Sequence, residues 1–332
     1  MRLSQGLVVL ATLITAAASS PTSTLQKRRT SRTSPPSGCL VVDSTESSTS
    51  GWYTTLNDAV AALSGSGSAC IFVYSGTYTL TEQVMIDYEG ALTLYGYTTD
   101  TSTYADNAVI IQWSMTSTEA GSDSASAAIQ VLSDNFSMYN INVKNTYGSG
   151  TQAIAFTAHG DQHGYYGCGF YGYQDTLYAY AGNQYYKGCY IEGAVDYIFG
   201  AAGAWFEQCQ LVSNGGGAIT ANGRESDDDT WYVINNSTIS AASGLDLSED
   251  VYLGRPWRDD ARVMFQYSSL SDIINPVGWT TLDTTAVPTF EEYENTGAGS
   301  NTSERVQETT ATGPVTMDEL WPDGYAWIDS TY

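Results

Sequence analysis

Residues 164–212 read GYYGCGFYGYQDTLYAYAGNQYYKGCYIEGAVDYIFGAAGAWFEQCQLV, and their spacing decides the fold. Cys168, Cys189 and Cys209 recur at intervals of 21 and 20 residues, Asp175 and Asp196 are 21 apart, and Gln174 follows Gln152 by 22. A period near 21 suits one coil of a parallel β-solenoid, at the short end of the usual repeat range of roughly 20–45 residues. In such a ladder, residues one coil apart stack about 4.8 Å from each other, so distant sequence positions become neighbours on one face. Outward from this stretch the chain keeps the same texture. Short β-rich runs such as IFVY, LTLYGY, AVIIQW, SMYNINV, AIAF, WYVINNSTI and VMFQY are divided by Gly, Asn and Asp. A sandwich or a barrel would share that texture, but the spacing favours the solenoid. The segment GWYTTLNDAVAAL puts Trp52, Leu56, Ala59, Val60 and Leu63 at helical spacing, which predicts one short N-terminal capping helix. The fold predicted is therefore all-β, a single parallel β-helix over residues 38–332. Residues 284–316 read as long surface excursions, and DELWPDGYAWI as a C-terminal flap.

The 332 residues are 42% hydrophobic and only 14% charged, enough apolar material for a sizeable core and unlike a disordered chain. Lys+Arg 12 against Asp+Glu 36 gives a net charge of −24, which repels phosphate backbones and anionic membranes and excludes nucleic-acid binding. Arg2, the apolar run Leu7 to Ile14 and the small residues Ala16, Ala17 and Ala18 have the layout of a signal peptide over residues 1–18. No later stretch reaches the ~18–20 apolar residues of a membrane span. Residues 19–37, rich in Ser, Thr and Pro and carrying Lys27, Arg28 and Arg29, read as a propeptide or flexible tail. Five of the 12 basic residues and none of the acidic ones precede Gly38, so the remainder would carry −29. The expectation is a secreted, extracellular, strongly acidic protein, with glycosylation sequons at Asn135, Asn235, Asn236 and Asn301. Five cysteines in an oxidising compartment leave at least one thiol unpaired. Cys39 and Cys70 form a plausible bridge near the N-terminal cap. Cys189 is spaced to pair with Cys168 or with Cys209, or the three simply stack.

If the register holds, Gln152, Gln174, Asp175 and Asp196 fall on three successive coils and converge on one patch. Farther on, YLGRPWR supplies Arg255 and Trp257, two positions apart and so on the same face of a strand. An arginine can hold one carboxylate ionised while a second, in a drier site beside that charge, keeps its proton. Nucleophile and acid are thereby separated. Four of the seven basic residues after Gly38, namely Arg224, Arg255, Arg258 and Arg262, crowd into this segment. His159 and His163 lie in a Gly-rich stretch with no third ligand in evidence, so no metal site is predicted. The chain has no Gly-Xaa-Ser-Xaa-Gly elbow to support a serine nucleophile.

The runs TQAIAF, GYQDTLY, YIEGAVDYIFG, AITANGR and YLGRPW follow one another in this order and together resemble the signature segments of the pectinesterase (pectin methylesterase) family. The weaker SGTYTL, residues 75–80, extends the likeness toward the N-terminus. The resemblance implies a right-handed parallel β-helix and hydrolysis of galacturonate methyl esters in pectin by a monomer that needs no metal or cofactor. It makes Asp196 the nucleophile, Asp175 the acid and then the base, Gln152 and Gln174 the amides that stabilise the oxyanion, and Arg255 the group that orients Asp196. Trp257 and Phe199 would offer flat surface to sugar rings, with Tyr197, Arg224 and Thr220 as further substrate contacts. Four positions depart from the family pattern: Leu80 replaces a common Glu, Ala194 a Thr, Tyr197 a Phe and Asn222 a Gln. An acidic body acting on an acidic polymer predicts a preference for heavily methylated pectin, scattered attack and an acidic optimum. The competing functions are a polygalacturonase or a pectate lyase on the same fold, the latter recruiting Asp227, Asp228 and Asp229, and a non-catalytic carbohydrate-binding solenoid.

Overall fold

Three parallel sheets of eleven, eight and seven strands share the chain, and a complete coil gives one strand to each. One coil supplies the strands His163–Tyr166, Gly169–Tyr171 and Leu177–Ala181; the next supplies Asn183–Lys187, Tyr190–Gly193 and Ile198–Gly200. This is a parallel β-helix. The computed structural model describes residues 30–332 apart from Ser47, Asp283 and Thr284. The signal peptide predicted over residues 1–18 lies outside the described residues, as does the segment 19–29.

Alternation within the short strands sends every second side chain inward, where it meets its counterpart from the next coil. Tyr165, Tyr186 and Phe206, paired in register, stack with ring centroids 4.6 Å apart at both steps. Cys168, Cys189 and Cys209 form a neighbouring buried column. The Sγ atoms donate to carbonyls of the preceding coil, Met138, Tyr165 and Tyr186, at 3.2, 3.4 and 3.5 Å. These three stay free thiols, and the single disulfide joins Cys39 to Cys70. Passage from the eleven-stranded to the eight-stranded sheet takes one residue in the left-handed region: Asn140, Gly167, Gly188, Gln208, Asn236, Tyr267 and Glu294, with φ between 48° and 58°. Most of these are not glycine. Left-handed backbone costs other residues roughly 1–2 kcal/mol, which the flanking ladder hydrogen bonds offset.

The ends differ in detail from the expectation. Helix α1 spans Leu56–Ala61 behind the N-cap Thr55, whose hydroxyl accepts from the Asp58 amide at 3.1 Å. Trp52 belongs instead to the strand Trp52–Tyr53, paired with Val41 and Val42. The N-terminal arm is docked from Thr30 onward. Arg32 exchanges backbone hydrogen bonds with Thr98 at 2.9 and 3.0 Å, and its guanidinium lies over Tyr95 and Tyr139. Within 284–316, expected to be excursions, Thr289–Tyr293 is a true strand that closes the eleven-stranded sheet. Its inward positions are Phe290, which stacks on Trp279 at 4.3 Å, and Glu292, and the acidic one breaks the apolar alternation after a single residue. Arg305 neutralises it through bonds of 2.7 and 3.1 Å, both side chains buried. The C-terminal segment does dock as a flap. Two short helices of an insertion, α2 (Ser117–Ala120) and α3 (Asp123–Ser126), precede that flap's own helix α4 (Met317–Leu320), beside which Trp321 is buried against Tyr166, Tyr185, Trp205 and Trp231.

Because the cysteine column is fully buried and reduced, a thiol reagent should find no reactive group in the native protein and three after unfolding without reductant. Fewer than three would mean that a second disulfide bridges neighbouring coils.

Candidate active site

Asp175 and Asp196 sit at equivalent turns of successive coils, both in the left-handed region, with φ of 64° and 51°. Aspartate tolerates that conformation better than most residues, because its short side chain can bond locally. The turns are fixed by the next coil: the Asp175 amide donates to Val195 O at 3.0 Å and the Asp196 amide to Ala218 O at 2.7 Å. Both aspartates are nearly buried. They line one cleft of about 290 Å³ together with Asp123, Gln152, Gln174, Phe199, Ala221, Arg255, Trp257 and Leu282. The coil register thus brings together the five groups singled out from the sequence.

Arg255 reaches Asp196 from two coils away. Phe199, Ala221 and Arg255 are register partners on adjacent strands. The small methyl of Ala221 leaves room for the guanidinium to pass back over that rung. Arg255 then donates from Nε to Asp196 Oδ1 at 2.8 Å and from Nη2 to Oδ2 at 2.6 Å. This bidentate pair matches the shape and charge of a carboxylate. Among the described residues Asp175 receives no such partner. Burial, then the charges of Asp196 and Asp123, push its pKa up to about 8, with Arg255 opposing only weakly. Near neutral pH Asp175 therefore favours its protonated form, whereas Asp196 is the one that a guanidinium engages through both oxygens. Gln152 accepts from the Thr151 hydroxyl at 2.8 Å, which assigns its amide oxygen and leaves the NH2 end to the cleft.

An aromatic wall flanks the carboxyls. Tyr178 and Phe199, again register partners, stack at 4.1 Å, and Trp257 meets Phe199 edge-on at 5.7 Å. Arg258 lies over Trp257 at 4.7 Å. A second groove of about 390 Å³ continues past Trp257 toward Tyr180 and Arg258.

Two expected substrate contacts, Tyr197 and Thr220, are placed differently, and a third, Arg224, lines the second groove. Tyr197 is fully buried, its hydroxyl 3.3 Å from that of Ser213 inside the coil. Thr220 pairs with inward-facing Ile198 and donates to Leu253 O at 2.9 Å, so strand parity turns it away from the cleft that its neighbour Ala221 lines. The Arg224 guanidinium is nearly buried and braces the following loop, bonding Asp227, Asp228 and the Asp260 carbonyl at 3.0–3.1 Å. That also accounts for Asp227 and Asp228, which serve a salt-bridge brace. Asn222, one of the departures, is buried, and its Oδ1 accepts from the amides of Arg224 and Arg262. His163 is buried between Ser133 O and the Tyr165 hydroxyl, while His159 stacks on Tyr180 at 4.1 Å. Asp123, Leu282 and Tyr178 are site residues that the sequence reading missed. Tyr178 was within reach of the 21-residue spacing, since it precedes Phe199 by one coil. Asp123 and Leu282 lie on insertions that follow no period.

Comparison with known proteins bears on the fold and the family. The sequence model of the family described as Pectinesterase matches residues 41–319. A protein named probable pectinesterase A from Aspergillus niger is 56% identical over 329 residues, 97% of each chain. Pectinesterase A of Emericella nidulans is 54% identical over 308 residues, 92% of this chain and 93% of its own. Among solved structures, the deglycosylated pectin methylesterase from Aspergillus niger superposes with a TM-score of 0.86 at 57% identity, covering 91% of this chain and 100% of that one. The pectin methylesterase from carrot does so at 0.76 and 30% identity, covering 84% and 90%.

The raised pKa of Asp175 has a thermodynamic consequence. Below its ordinary value of 3.8 the carboxyl is protonated in folded and unfolded states alike; between there and about 8 the folded chain keeps a proton that the unfolded chain releases. Stability contributed by that proton is thus lost as pH rises toward about 8. Asp175→Asn should gain on the wild type by a few kcal/mol between about pH 5 and pH 8 and then level off, read from urea-denaturation midpoints. A stability difference independent of pH would contradict the assignment.

Proposed function

The chain belongs to the pectinesterase family of carboxylic ester hydrolases, and on that premise we propose that it hydrolyses methyl esters of galacturonate units in pectin through Asp196 as nucleophile and Asp175 as general acid and base. The observation that carries the assignment is the asymmetry of the two aspartates, one in a bidentate ion pair and the other with its pKa pushed up to about 8. A nucleophile has to be ionised when substrate arrives, whereas a general acid has to hold a proton.

In the first half-reaction a carboxylate oxygen of Asp196 attacks the ester carbonyl. Negative charge moves to the carbonyl oxygen, toward the side-chain amides of Gln152 and Gln174. Asp175 gives its proton to the departing methoxide, which leaves as methanol, and an anhydride joins Asp196 to the galacturonate. Asp175, now a carboxylate, takes a proton from water as that water attacks the anhydride. The anhydride breaks at its bond to the galacturonate carbonyl, which regenerates the Asp196 carboxylate and releases galacturonic acid, and the acid gives its remaining proton to solvent to become the galacturonate anion. Arg255 acts throughout by fixing the orientation and charge of Asp196. Phe199 and Trp257 give the sugar rings a flat apolar wall beside the reacting carbonyl.

Residues 38–332 form the catalytic unit in this proposal, preceded by a signal peptide and acting outside the cell on pectin. Fungal relatives that carry the pectinesterase name support that setting, and among the described residues no helix is long and apolar enough to cross a membrane.

Methanol release from esterified pectin tests the reaction. Asp196→Asn is expected to lower kcat by about four orders of magnitude or more, and Asp175→Asn by a comparable amount. Gln174→Ala should cost about 10²–10³, the usual loss for one oxyanion donor. The alkaline limb of kcat/KM should fall near pH 8, where Asp175 loses its proton. Shortening of the polymer without methanol release would instead favour a polygalacturonase or a lyase.

A further inference from the structure

The walls of the cleft have two origins. One is the coil ladder, which supplies the glutamines, the aspartate pair and Arg255. The other is the α2–α3 insertion, which stands over the ladder and is fastened to it at several points. Ser117 N donates to Gln152 O at 2.9 Å. The Ile154 amide donates to Ser126 Oγ at 3.2 Å, and Asn145 Nδ2 donates to both Ser126 O and Ile154 O. From the other side, Gln83 Nε2 donates to Ser124 O at 2.6 Å and Ala127 O at 2.9 Å. Asp123, at the start of α3, is held by this framework with its side chain lining the reaction cleft.

Three carboxyl groups therefore face a cleft of about 290 Å³, and among the described residues lining it Arg255 is the one cation. Arg255 already gives two hydrogen bonds to Asp196. A galacturonate methyl ester enters such a site as a neutral group. The product of its hydrolysis is an anion, and it meets two negative charges against one positive charge that is already paired. We propose that Asp123 is a specificity-determining residue, whose carboxylate, fixed over the cleft by the α2–α3 insertion, discriminates the neutral ester from the free galacturonate anion and so expels the product. This rests on the esterase reaction proposed above.

Asp123 also acts on the acid. The charged groups facing Asp175 are Asp196 from the next coil, Arg255 from two coils beyond that and Asp123 from α3; Tyr178, on the same strand, is neutral. Of these, Asp196 and Asp123 both favour the protonated form of Asp175. One charge outside the ladder thus serves substrate choice and helps Asp175 stay protonated.

The experiment compares wild type with Asp123→Asn and Asp123→Ser, using methanol release from highly esterified pectin with polygalacturonate free of methyl groups as inhibitor. Removing the charge should strengthen inhibition by polygalacturonate about fivefold at low ionic strength, an advantage that fades in high salt. It should also move the alkaline limb of kcat/KM to lower pH. Asp123→Glu should restore both, which a merely structural role for the residue would not explain. Inhibition and alkaline limb both unchanged in Asp123→Asn and Asp123→Ser would overturn the role of Asp123 while leaving the esterase reaction standing. Absence of methanol release by the wild type would overturn both readings together.

Discussion

Hydrogen bonding between successive coils obliges every ladder residue to lie over its counterpart, about 4.8 Å away, and the rest of the molecule is built around that constraint. Where the column is apolar the outcome is favourable, as in the rings of Tyr165, Tyr186 and Phe206. Where the column is ionic, like charges are forced together. Asp175 and Asp196 occupy equivalent turns, and two full charges at that spacing would repel by about 3 kcal/mol even at an effective dielectric constant near 20. Either a proton or a cation has to intervene. The fold brings a cation to Asp196, while burial and the neighbouring charges favour the protonated form of Asp175.

Which aspartate receives the cation is decided two coils away. Arg255 shares a row with Phe199 and Ala221, so the guanidinium can reach the Asp196 turn only because the intervening rung carries a methyl group. A larger side chain at Ala221 would block the path. Asp175, one coil farther still, lies beyond a bidentate reach and stays with burial as its dominant influence. The roles proposed for the two carboxyls are therefore not intrinsic to their local sequence. They follow from where along the helix axis one arginine and one alanine stand.

That dependence explains how far the residues alone could be read. The period of 21 is real between Cys168 and Cys209, and it is enough to predict the coil, the aspartate pair and the cysteine column, though not whether those cysteines are bridged or free. Elsewhere the coils lengthen through insertions, with 27 residues separating the left-handed turns Asn140 and Gly167 and 31 separating Asn236 and Tyr267. The strand Thr289–Tyr293 escaped notice because the second of its two inward positions, after Phe290, is Glu292, which enters the core only as the partner of Arg305. Thr220 and Tyr197 were misplaced for a related reason. A motif records which residues occur together but not which way each one faces, and a one-residue change of parity turns a contact residue into a core residue. The chemistry of Arg224 was likewise visible as a charge, whereas its partners Asp227 and Asp228 were read apart from it.

Ladder positions and insertions differ in what they are free to vary. A substitution within a column is felt by the coils above and below, so the groups that bond to one another across coils are held to a narrow geometry. The α2–α3 segment and the loop braced by Arg224 stand outside the coil ladder and are fastened by individual hydrogen bonds rather than by strand pairing. They can change length or charge without disturbing the register. On the reaction proposed above, a division of labour follows from the mechanics: the proposed reaction chemistry falls on the columns, where spacing is imposed, and the proposed discrimination among polymer forms on the overhanging segments, where it is not. Asp123 on α3, with no counterpart in any column, stands on the discriminating side of that line.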